Sequence, residues 1–160
     1  MQIDKTKLLE AVLQIVEAEI EHLQTGLAHA KHAKLEAPGR MQSRYDTMGI
    51  EAGWVADGLN KTLGEKQESL RLLTRFQFPA ETKRVGLGSL VGIGSRNGLP
   101  QDFYFVLPGA GGTSITLENN EINIITPQAP IARKISGKML GNEIILDPQK
   151  RESLVILLLQ

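Results

Sequence analysis

The chain has 160 residues, 41% of them hydrophobic, with 18 Lys plus Arg balanced by 18 Asp plus Glu and no cysteine. That length and apolar content suit one domain, or two small ones, with a buried core. The charge balance argues against sequence-independent capture of nucleic acid or an anionic membrane, and the missing thiols exclude disulfides, zinc ribbons and thiol catalysis.

A reducing, cytoplasmic setting is the expectation. The opening segment, MQIDKTKLLEAVLQIVEAEIEHLQ, carries charges every few residues and lacks a signal-peptide block. No run approaches the ~18 apolar residues of a membrane span. From Asp4 to about Leu35, the residues Leu9, Val12, Val16, Ile20, Leu23, Leu27 and Ala30 recur at steps of three and four, which lines one narrow face of a helix. Pro38 and Gly39 then break it. A second stripe, Met48, Ala52, Val55, Leu59, Leu63, Leu70 and Leu73, continues to about Phe76. Two such helices closed by a short turn predict an antiparallel hairpin about 45 Å long, its tip far from its base. Gly49, Gly53, Gly58 and Gly64 are unusual in the second helix. Each costs about 0.5–1 kcal/mol relative to Ala, so the helix starts late or those faces pack closely.

After RFQFPAETK the pattern changes. RVGLGSLVGIGS, DFYFVLP, TSITL, EINIITP, NEIILD and SLVILLL are short β-branched or aromatic runs separated by Gly, Pro and Asn, as in a twisted antiparallel sheet. PIARKISGKMLG between them reads as a short helix followed by a turn. The boundary falls between Pro79 and Lys83, which gives a hairpin over 1–78 and a β domain over 79–160.

Most candidate chemistry dissolves on inspection. GLGSLVG has the wrong spacing for a dinucleotide fingerprint, and PGAGGTS lacks the Gly-Lys-Ser/Thr of a triphosphate loop. Gly109, Gly111 and Gly112 fit a hairpin turn between strands instead. His22, His29 and His32 all lie on the first helix, without cysteines or a recognised carboxylate set, and read as a solvated face. No Ser/His/Asp set can be assembled, so hydrolase chemistry has no visible apparatus and no intrinsic catalytic residues are assigned. The tip segment SRYDTMGIEAGW differs. Asp46 and Glu51 are the hard oxygen ligands that Mg²⁺ accepts, and at a hairpin tip they could complete a metal site inside another enzyme. Against this, Asp46 has an ordinary role as helix cap and Glu51 as a favourable first-turn charge. Trp54, the only Trp, is expected to pack on the opposing helix.

The stretch INIITPQAPIARKISGKMLGNEIIL, Ile122 to Leu146, resembles the end of the Gre transcript-cleavage factors of bacterial RNA polymerase. In that family a Ser-Pro-Ile-Ala/Gly segment opens a short helix, a Gly-Lys turn follows, and a Gly-Asp step leads into the last strands. Pro130, Ile131, Ala132, Gly137, Lys138 and Gly141 match that order, VGLGSLV resembles the first strand, and RYDTMGIEAGWVADGL resembles the KYDT…E segment of a Gre-like branch. The resemblance implies an α+β fold, with an N-terminal coiled-coil hairpin followed by an FKBP-like antiparallel β domain with a short helix.

It also implies a function. The β domain would dock at the rim of the polymerase secondary channel through Ala129, Pro130, Ile131 and Ala132, while the hairpin reaches toward the catalytic Mg²⁺ and modulates elongation. The partner would be core RNA polymerase, with indirect contact to nascent RNA, and no cofactor beyond a Mg²⁺ shared with polymerase at Asp46. Cleavage factors carry an Asp and a Glu separated by two residues at the tip. Here the residue three past Asp46 is Gly49, and Glu51 follows two later. On one helix Glu51 would point about 140° away from Asp46 at about 100° per residue, so both serve one ion only if Asp46 precedes the helix. Two alternatives stand beside this reading: an active transcript-cleavage factor for backtracked complexes, and a coiled-coil interaction or dimerisation protein unrelated to transcription. Prolyl isomerisation, which the FKBP-like resemblance raises, is disfavoured. Phe103, Tyr104 and Phe105 are consecutive and face opposite sides of a strand, whereas that site needs an aromatic-lined pocket.

Overall fold

The structure, a computed structural model, describes residues 3–36, 48–117, 119–145 and 153–160. The chain divides into two compact units, one of Met1–Leu13 with Arg71–Gln160 and one of Gln14–Leu70. Helix α1 covers Lys5–Glu36 and helix α2 covers Met48–Thr74. Asp4 starts α1: its Oδ1 accepts the backbone N–H groups of Thr6 at 3.0 Å and Lys7 at 3.3 Å, which otherwise have no partner in the first turn. Among the described residues no helix is long and apolar enough to cross a membrane.

Within the helical unit the two helices pair antiparallel. Lys66 meets Glu19 at 2.5 Å, and a Cβ on Gly26 would lie 3.6 Å from Leu59, so α2 runs back as α1 advances. Val16, Ile20, Leu27 and Ala30 of α1 are buried with Gly53, Ala56 and Leu63 of α2, while Leu23, Leu59, Lys66 and Leu70 are half-buried. Steps alternate between four and three on α1, and from Ala56 onward between three and four on α2, the spacing of a coiled-coil seam. Lys66 fills the gap between Leu63 and Leu70 that the apolar stripe leaves open.

Three expectations need correction. Leu8, not Leu9, is the fully buried residue at the start of α1. Val55 is 55% exposed, because the small residues Gly53 and Ala56 take the seam and turn Val55 to its flank. The helix already begins at Met48, and Gly58 and Gly64 face open space, so neither a late start nor close packing accounts for these two glycines. Pro38 and Gly39, and the side chain of Met48, lie outside the described residues.

The other unit is built on a sheet of β1 (Leu90–Gly94), β2 (Asp102–Val106), β3 (Ser114–Leu117), β4 (Asn120–Ile125), β5 (Glu143–Ile145) and β6 (Ser153–Leu159), in the order β3-β4-β2-β1-β6-β5. A short helix, α3, spans Pro130–Ile135. The class is α+β, but the sheet is mixed: β2 and β4 run parallel, with Phe103 opposite Ile122 and Phe105 opposite Ile124. Parallel neighbours cannot be joined by a tight turn. The segment containing Gly109, Gly111 and Gly112 is accordingly not a hairpin. It carries the chain past β4 to β3, with the Gly112 N–H donating to the Ile124 carbonyl at 3.0 Å and the Leu107 N–H to Ile125 at 2.9 Å. Gly112 takes φ 89° there, a conformation that favours glycine.

Both faces of the sheet are covered, which explains strands that read as nearly continuous apolar runs. On one face Val91, Ile93, Val106, Ile125, Ile144 and Ile156 cluster with Val85 and with Ala132 and Ile135 of α3. On the other, Leu90, Phe105, Ile122 and Ile124 are at most 1% exposed, and the Phe78 ring stacks on Phe105 with centroids 6.1 Å apart.

Candidate functional site

The segment that carries the family resemblance folds as one hydrogen-bonded piece. Pro130 occupies the start of α3, where its missing N–H costs nothing and its fixed φ suits the helix. Ala129 precedes it in extended conformation (φ −60°, ψ 142°) and supplies no side-chain cap, in contrast to the serine of the family pattern. Gly137 ends the helix at φ 73°, the left-handed geometry that glycine adopts most cheaply. Val85 then clamps the turn: it accepts from the Gly137 N–H and donates to the Lys138 carbonyl, both at 2.8 Å. Arg84 adds a guanidinium contact to the Gly137 carbonyl at 3.2 Å. A second turn follows, Met139 to Asn142, closed at 3.0 Å with Gly141 at φ 81°. The Asn142 side chain accepts the Met139 N–H at 2.9 Å.

The four docking candidates are therefore adjacent but not equivalent. Pro130 is exposed, Ile131 and Ala129 are half-buried against the core cluster, and Ala132 is 3% exposed with its methyl turned inward. Sequence reasoning missed two apolar neighbours in the same segment, Met139 (42% exposed) and Leu140 (60%). The available signal was their position between Gly137-Lys138 and Gly141-Asn142, turn residues that put what lies between them at the surface.

At the other candidate site, Glu51 lies in the first turn of α2 and is exposed. Asp46, its proposed partner, lies outside the described residues. Trp54 does not pack on the opposing helix as expected: it is 70% exposed, and Ile50, one turn before it, is 42% exposed. Helical geometry gives the reason. At about 100° per residue Trp54 points about 180° from Leu63, away from the seam.

His22, His29 and His32 are exposed on α1, and among the described residues no group of three or more His, Asp or Glu side chains is placed to hold a metal. Phe103 and Phe105 are buried on one sheet face while Tyr104 packs on the other, as alternation requires. Burial, with the Asp102 carboxylate adding to it, pushes the Tyr104 phenol above its ordinary range. This arrangement does not create a reacting group near neutral pH.

No family model matches the chain, and no curated protein does. Among solved structures it is similar to the GreA factor homolog 1 (Gfh1) of Thermus thermophilus, at 15% identity over 92% of this chain and 94% of that one, with a TM-score of 0.35. A structure of the transcription factor Gfh1 gives 19% identity, 92% of both chains and 0.37, and Thermus aquaticus Gfh1 gives 18%, 94% and 92%, and 0.37. Identity and TM-score are low throughout, and the likeness, which runs over nearly the whole of each chain, is to GreA-like transcription factors.

Proposed function

We propose that this chain is a regulator of bacterial RNA polymerase that docks at the secondary channel and directs its helical hairpin toward the active site, modulating elongation without catalysing a reaction itself. The observation that carries this reading is the state of the motif segment. Its proline starts α3, its two glycines take left-handed turns, and the segment between them is tied to Val85 and Asn142, leaving Pro130 on the surface. That is a preorganised loop, the form in which a docking element loses least entropy on binding.

The tip acts as an occupant of the channel more than as a metal donor, since Gly49 stands where the family's second carboxylate would be. A Mg²⁺ shared with polymerase at Asp46 belongs to the alternative reading, in which the chain stimulates cleavage of backtracked RNA. Co-purification with core polymerase tests the docking. Pro130→Asp is the informative variant, because aspartate is well tolerated in the first turn of a helix, so α3 survives while the surface changes. Loss of binding is expected; undiminished binding by Pro130→Asp would overturn the docking assignment.

A further inference from the structure

The exposed face of α3 and the turns after it carry a cationic surface on a chain whose formal net charge is zero. From Ile122 to Asn142 the sequence contains Arg133, Lys134 and Lys138 and no carboxylate. The helix sorts its residues by direction: Ala132 and Ile135 are buried, while Pro130, Arg133 and, just past the helix end, Gly137 are exposed. Arg84 comes in from the segment before β1 and sets its guanidinium 3.2 Å from the Gly137 carbonyl. The half-buried Lys138 follows, and Met139 and Leu140 continue the surface as apolar side chains, 42% and 60% exposed. Among the described residues no carboxylate lies within ion-pair distance of Arg84, Arg133 or Lys138; Glu81 is held by Lys83 and Glu143 by Arg96, each at 2.7 Å. A cation near a helix C-terminus is favourable by about 0.3–1 kcal/mol, and Arg84, bonded to the Gly137 carbonyl, already fills that role, so local structure does not require Arg133 or Lys138 as well.

Cations without a carboxylate, set beside aliphatic side chains, select a class of partner. So few charges neutralise few phosphates, and no exposed aromatic ring accompanies them to stack a base, so nucleic acid is a poor match. A protein segment with carboxylates next to apolar side chains matches both parts: the carboxylates accept charge-assisted bonds from the guanidinium and ammonium groups, and the apolar side chains cover Met139 and Leu140. We infer that the surface running from Pro130 through Arg133 and Arg84 to Leu140 receives an acidic, partly apolar segment of RNA polymerase, with Arg133 and Lys138 as its charge contacts. The inference rests on the proposed function for the identity of the partner; it adds the sign of the partner's charge and extends the contact from Pro130 to Leu140.

The test uses the full chain and purified core polymerase. Affinity is measured at low and high salt for wild type, Arg133→Glu, Arg133→Gln, Arg133→Lys and Leu140→Ser. Arg133→Glu is expected to bind about tenfold or more weakly at low salt and Arg133→Gln to lose less, both differences shrinking as salt rises, while Arg133→Lys stays close to wild type. Leu140→Ser is expected to weaken binding at both salt concentrations. Arg133→Gln removes the charge without placing a carboxylate at the C-terminal end of α3, so it decides the matter if Arg133→Glu fails to fold. Carbodiimide coupling, which joins a lysine amine directly to a carboxylate, then reads the occupant: the lysine introduced by Arg133→Lys is expected to be joined to an Asp or Glu of polymerase. If wild type, Arg133→Gln and Arg133→Glu bind polymerase equally, the surface is wrong while the proposed function stands. A loss that is the same at every salt concentration, coupling to a second copy of the chain only, or binding that requires RNA on the polymerase overturns the acidic occupant. If wild type does not bind polymerase at all, both readings fall.

Discussion

The sheet unit and the helical unit bury their apolar residues in different ways, and the difference explains where surface function can reside. In the sheet unit, Val91, Ile93 and Ile156 on one face and Leu90, Phe105, Ile122 and Ile124 on the other are at most 1% exposed, so the strands are structural almost throughout. Of the large apolar side chains exposed in this unit, most lie in connections, Leu87, Leu99, Met139 and Leu140, while Ile145 is exposed on the edge strand β5. In the helical unit Val16 is the one fully buried seam residue among those described, and the rest of the narrow seam is closed less completely: Ala30, Ala56, Ile20, Leu27 and Leu63 are 7–9% exposed, and Lys66 fills one level. Most of each helix is left to solvent, Trp54 included.

Substitutions should separate the two modes. The largest effect is expected from Phe105→Ala, which removes a fully buried ring and its stack on Phe78. A loss of about 3–5 kcal/mol is expected by chemical denaturation. Leu63→Ala cuts a seam in which neighbours can partly collapse. Its cost should fall toward the lower end of the range for such changes, about 2 kcal/mol, read as loss of helical signal by circular dichroism. A loss matching that of Phe105→Ala would erase the proposed contrast.

Lys66→Leu sharpens the comparison within the seam. The Lys66–Glu19 pair is partly solvated, with side-chain exposures of 29% and 40%, so it contributes little net stability. Leucine there would complete the apolar stripe, and thermal melting is expected to show an unchanged or higher midpoint, within about 1 kcal/mol. A clear drop would mean that the ion pair, more than the apolar contacts, holds the hairpin.

An alkaline titration isolates the sheet unit. The folded pKa of Tyr104 is raised above the ordinary 10.0, so folding keeps a proton that the unfolded chain releases. This contribution to stability is complete below pH 10.0 and is lost as pH rises through the folded value. Tyr104→Phe should show a shallower loss of stability in that window than wild type; identical alkaline slopes would remove Tyr104 as the cause. The smallest effect belongs to Trp54→Ala, expected to change stability by no more than about 0.5 kcal/mol. A larger loss would return Trp54 to a packing role.

Much of this architecture is legible in the residues. Steps of three and four mark both helices, and the turn signals around Pro130, Gly137 and Gly141 locate α3 and its exit. The errors have physical sources. Periodicity assigned Val55 to the seam because it ranks side chains by hydrophobicity, whereas two closely paired helices also admit Gly53 and Ala56. The parallel pairing of β2 with β4 leaves no local mark, since it is set by partners about twenty residues apart in the chain. At the candidate docking segment, sequence supplied the four consecutive residues but not their directions: that Ala132 is inward and Pro130 outward follows from the helix that Pro130 itself begins.

The central claim is occupancy of the polymerase secondary channel, and displacement measures it most directly. A fluorescently labelled cleavage factor of the GreA type is bound to core polymerase, and the unlabelled chain is titrated in, with Pro130→Asp as the control. Displacement to completion by wild type, with Pro130→Asp displacing poorly, is the predicted result, whether the chain then stimulates or inhibits cleavage. A labelled factor that stays bound at saturating concentrations of this chain would contradict the account.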